Sequence, residues 1–122
     1  LPMMRRSWLR TVKQKSMLQE EHGAKLIGGR RVPGSGSVKG KPGDGISPLY
    51  MDECKYTDRK SLSIKRVDLR KLEEDSLNSG KMPVFMFGFS NGDRVKYNWV
   101  AVPEYLFREV MEQLEKVWVD KF

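Results

Sequence analysis

Apolar positions recur with two different spacings, and the places where the spacing changes mark the elements. From Val12 to Ile27, residues Met17, Glu20, Ala24 and Ile27 fall on one side at helical spacing, and Gly28-Gly29 is a stop signal. This predicts a helix with that side inward. Arg30-Arg31-Val32 reads as a short strand. Residues 33–45, PGSGSVKGKPGDG, form a loop too short to separate two domains. LYMDECKY, Leu49 to Tyr56, reads as a strand. Ile64 to Asn78 predicts a second helix with Val67, Leu72 and Ser76 inward and Gly80 beyond its end. VFMFGF, Val84 to Phe89, is a continuous apolar run, as in a strand buried on both faces. Asn91-Gly92-Asp93 signals a hairpin turn, with Arg94 to Val102 as the return strand. Pro103 and Glu104 open a last helix that runs to about Val119, with a stripe of Leu106, Val110, Leu114 and Val117 widened by Phe107, Met111 and Trp118. The order predicts an α/β or α+β domain, with a small mixed central β-sheet flanked by helices.

Length and charge sharpen this picture. The 122 residues fit a single domain spanning 1–122, with residues 1–11 as a loose basic arm. The longest apolar run is far shorter than the roughly 20 residues that span a bilayer, and no signal peptide is recognisable, so no membrane partner and a cytoplasmic location are expected. Net charge is +7, unevenly placed. Residues 1–43 hold ten Lys/Arg and two acids; residues 44–122 hold thirteen and fourteen. A basic segment beside a neutral body is the footprint of a polyanion binder, nucleic acid first.

The strand at Leu49–Tyr56 carries candidate chemistry. Alternation puts Leu49, Met51, Glu53 and Lys55 on one face and Tyr50, Asp52, Cys54 and Tyr56 on the other. A carboxylate and an ammonium at the end of an apolar stripe fit either an ion pair or a site. Asp44 stands nine residues before Glu53 and approaches it if 44–47 and 49–56 form a hairpin. Two converging carboxylates suit a hard divalent cation.

Asp44 followed by Glu53-Cys54-Lys55 resembles the signature of PD-(D/E)XK nucleases. GGRRVPGSGS at residues 28–37, then PGD, ECK and TDRKSLSIK, is similar to archaeal and bacteriophage Holliday junction resolvases. The resemblance covers roughly residues 15–90. Pro42 stands one residue earlier than the family's proline, and residues after Phe89 have no counterpart. The resemblance implies a restriction-endonuclease-like fold. It implies a Mg2+-dependent structure-specific DNA endonuclease, with Mn2+ as a substitute, resolving branched double-stranded DNA (four-way junctions) by paired nicks. It also implies an acid on the first helix. Glu20 fits better than Glu21, because it shares the apolar side.

On this reading Asp44, Glu53 and the Cys54 backbone carbonyl hold the metal, with Glu20 completing the shell, and Lys55 acts on the attacking water. Ser35 and Ser37 hydrogen-bond phosphate; Arg30, Arg31, Lys39, Lys41, Arg59 and Lys60 contact flanking DNA. Two symmetric nicks from a chain with one site imply a homodimer, and the last helix offers surplus apolar surface for it. In a virus the location would be the host cytoplasm. No small-molecule cofactor is expected. One histidine and one cysteine do not make a zinc site. The loop lacks the GK[ST] of a phosphate-binding P-loop. Trp99 and Trp118 are expected in core or interface packing, since the tryptophans show no stacking pattern. Two alternatives stay open: a nuclease of the same type for repair or restriction-site DNA, and a non-catalytic nucleic-acid-binding module.

Overall fold

The computed structural model describes residues 11–32, 43–91 and 94–121. The basic arm and the loop bearing Ser35, Ser37, Lys39 and Lys41 lie outside them. Helix α1 spans Val12–Leu26, β1 Arg30–Arg31, β2 Gly45–Ile46, β3 Tyr50–Thr57, α2 Arg66–Asn78, β4 Met82–Asn91, β5 Arg94–Ala101 and α3 Glu104–Lys121. The strands form one sheet in the order β1-β2-β3-β4-β5. Only the β3–β4 pair is parallel, because α2 carries the chain across between them. The fold is thus mixed α and β around a mixed five-stranded sheet.

Local signals explain where the elements begin and end. Thr11 caps α1: its hydroxyl accepts from the Gln14 amide at 3.1 Å, and the Gln14 side chain accepts from the Thr11 amide at 2.8 Å. Gly28, at φ +75°, turns the chain out of α1 in a conformation that L side chains avoid. α2 starts at Arg66, two residues after the predicted Ile64, since Lys65 is still extended.

The sheet separates α1 from α2. On one face Gly23 of α1 lies so close to Asp52 that a Cβ there would stand 2.7 Å from its Oδ2. On the other face Leu72 of α2 packs with Met51 and Phe85 as the core cluster. β4 lies between β3 and β5, and Val84, Phe85 and Met86 are buried, as the continuous apolar run predicts.

The helix faces differ from expectation in three places. The buried side of α1 is Lys15, Gln19, Gly23 and Ala24, and Met17 is exposed. Apolar periodicity misses this side because it is built from small and polar residues. In α2, Leu72 and Ser76 are buried, but Val67 is exposed. In α3 only Leu106 is buried; Val110, Leu114, Val117, Phe107, Met111 and Trp118 are all exposed, because α3 leads away from the sheet instead of lying on it. Trp99 is exposed too, so neither Trp99 nor Trp118 is a core residue. No helix among the described residues is long and apolar enough to cross a membrane.

Candidate active site

The hairpin anticipated between 44–47 and 49–56 is present as β2 and β3, with Gly45 opposite Asp52 and Ile46 opposite Met51. The ladder continues one step outward: the Asp44 amide donates to the Asp52 carbonyl at 2.8 Å. Asp44 is thereby fixed beside β3 and is buried. Its Oδ2 accepts from the Cys54 amide at 2.7 Å, so the carboxylate bends onto the strand that carries Glu53 and Lys55.

Glu20 reaches the same place from α1. It lies at the border of the buried side, whereas Glu21 is exposed. Burial, followed by the negative charge of Asp44, pushes the Glu20 carboxyl up to about 7. Arg31 of β1 opposes this shift, with its Nε 3.7 Å from Glu20 Oε2. Burial and the charges of Asp44 and Asp52 push Glu53 up to about 7 as well, partly offset by Lys71. Asp44 is the nearest-acting acid on both glutamates, and the Asp52 charge adds to it at each.

Lys55 lies two residues along β3 from Glu53. Its ammonium donates to the Ser63 carbonyl at 2.8 Å, which steadies it and leaves two N–H donors. Arg30, Arg59 and Lys60 are exposed. Arg31 is half-buried against Glu20, so it belongs to the acid cluster more than to an outer ring of cations.

Two residues of this site escaped the sequence reading. Asp52 is fully buried between β3 and α1; burial and the Asp44 charge raise it to about 6, and the Cys54 thiol donates to its Oδ2 at 3.7 Å. The facing glycines, Gly23 and Gly45, are the trace of Asp52 in the sequence. Gln19, 1% exposed, donates from Nε2 to the Lys55 carbonyl at 2.9 Å and to Asn98 Oδ1 at 3.3 Å. It ties α1 to the backbone of the candidate lysine. The Cys54 thiol is pushed up by burial and the surrounding acids, which keeps it protonated and unsuited to attack.

Among the described residues, no three His, Cys, Asp or Glu side chains converge into a ready-made metal-ligating group. Mg2+ needs less: one or two carboxylates, its own waters and phosphate oxygens. Asp44 and Glu53 match that donor set, and the Asp44 charge raises Glu20, Asp52 and Glu53. No family model, no curated protein and no solved structure matches the chain.

Proposed function

We propose that the protein is a Mg2+-dependent DNA endonuclease of the PD-(D/E)XK type that acts on branched DNA. The observation that supports this most is Asp44, bonded to the backbone of β3 and electrostatically coupled to both Glu20 and Glu53, with Lys55 next on the strand. A sheet with a helix on each face is compatible with a restriction-endonuclease-like core, and that assignment is part of the proposal. Asp44 and Glu53, with the Cys54 carbonyl, would hold the ion, and Glu20 would add charge from α1. A bound Mg2+ polarises the scissile phosphate and lowers the pKa of a water. Lys55 would orient the attacking water and donate to the charge that develops on phosphate. Arg30, Arg59 and Lys60, with Lys39 and Lys41, bind flanking phosphates; Ser35 and Ser37 hydrogen-bond phosphate. Paired nicks on a four-way junction call for a homodimer.

Nicking of supercoiled plasmid tests the catalytic part. Wild type should nick with Mg2+ or Mn2+ and stop with EDTA, and Asp44→Asn should not nick. Tight DNA binding without cleavage under any metal would favour a binding module instead. Repair or restriction-site DNA remains the second substrate class, decided by comparing substrates of different shape.

A further inference from the structure

One face of the sheet carries an aromatic area that α2 covers only at its first row and in part at Phe87. Residues paired across a ladder project to the same side. Register therefore puts Glu53, Phe85 and Ala101 in one row, Lys55, Phe87 and Trp99 in the next, and Thr57, Phe89 and Tyr97 in the one after. α2 packs on the first row through Leu72. Beyond it the face opens: Phe85 is 3% exposed, but Trp99 is 54% and Tyr97 56%. The rings are ordered, with centroids 6.4 Å apart for Phe85–Phe87 and for Phe87–Phe89, and 6.2 Å for Tyr97–Trp99. A basic segment adjoins the area on its β3 side, where the Arg59 amide donates to Thr57 Oγ1 of the third row at 3.0 Å. Lys55 lies in its first open row, and the segment carrying exposed Arg59 and Lys60 returns to Lys55 at Ser63.

Two exposed rings, Tyr97 and Trp99, carried on half-buried Phe87 and Phe89 beside cations, suit a ligand with flat apolar faces and a regular negative charge. Unpaired nucleobases on a phosphate backbone are such a ligand; a closed duplex keeps its base faces hidden. A second copy of the chain fits less well, because self-pairing brings the partner's cations into the same patch. We propose that Phe87, Phe89, Tyr97 and Trp99 form a stacking platform for unpaired bases, placed to lead the adjoining strand to Glu53 and Lys55. The delivery to those two residues rests on the nuclease reading; the stacking does not.

Binding measured in EDTA keeps the two apart. An oligothymidylate of about 12 nucleotides should quench tryptophan emission of the wild type, and Trp99→Phe should remove that quench. Trp99→Ala should weaken oligothymidylate binding about tenfold or more while changing duplex binding less than about twofold, with unchanged circular dichroism. A quench that survives Trp99→Phe, or equal losses for single strand and duplex, would overturn the platform. So would Trp99→Ala converting a dimer to monomer with oligonucleotide affinity unchanged, which would make the face a contact between copies. Absent cleavage with intact stacking would sink only the nuclease.

Discussion

Asp44 is held by an amide of β3, and its charge raises the proton affinity of Glu20, Asp52 and Glu53 around it. Asp44→Asn and Glu53→Gln are expected to abolish cleavage, by ~10²-fold or more, while DNA binding stays or strengthens, since each removes a charge that repels phosphate. Lys55→Ala should lose a similar factor yet still bind metal, as titration calorimetry would show. Wild-type turnover in any of the three would contradict these roles. Glu20→Gln should impair cleavage about tenfold or more, and Glu21→Gln hardly at all; the reverse order would place the helix acid wrongly. The acids also make a stability prediction. Glu20 and Glu53 hold protons more tightly folded than unfolded, from an ordinary 4.5 to about 7. Their contribution is therefore full below about pH 4.5 and lost as pH rises through about 7. In EDTA the urea midpoint should fall between about pH 5 and pH 8, and Glu53→Gln should flatten that fall. An equally steep fall in the variant would mean that other groups cause it.

At the scale of elements, strands were easier to read than helix faces. Alternation along β3 placed Glu53 with Lys55, and the turn-like sequence before β2 delivered Asp44, because a period of two needs only neighbouring residues. Apolar periodicity points the α1 side one step away from its true direction. Gln19 is inward because its amide meets the Lys55 carbonyl and Asn98, partners that come from distant segments and that no hydrophobic pattern reports. Asp52 stayed hidden for the same reason, and the aromatic rows depend on the β4–β5 register. α3 shows the opposite: its stripe is evident from the periodicity, but its covering surface is not the sheet. An 18-residue helix with Phe107, Met111 and Leu114 all exposed has little among the described residues to stabilise it. Pairing of α3 between two copies is the expected remedy. Leu114→Glu should shift the protein from dimer to monomer in light scattering at micromolar concentration, with the sheet core intact. A wild-type monomer that remains monomeric on junction DNA would remove the resolvase reading and leave a general nuclease.

Along the whole chain a basic N-terminal third precedes a near-neutral remainder, and Asp44 is the first residue of that remainder. Affinity for DNA should depend steeply on salt, falling on the order of 10³-fold between 50 and 200 mM if about six cations each neutralise one phosphate. Reversing charge at Arg30, Lys39 and Lys41 should weaken binding to all DNA shapes alike; a changed shape preference at constant affinity would make these residues readers of the branch. The most direct measurement is cleavage of an end-labelled four-way junction beside a linear duplex of the same sequence, with Mg2+ and with EDTA. The account predicts paired, symmetric, Mg2+-dependent nicks in the junction, little cutting of the duplex, and none of either by Glu53→Gln. Cleavage that persists in EDTA or in Glu53→Gln, or an intact junction under every metal tried, would contradict it.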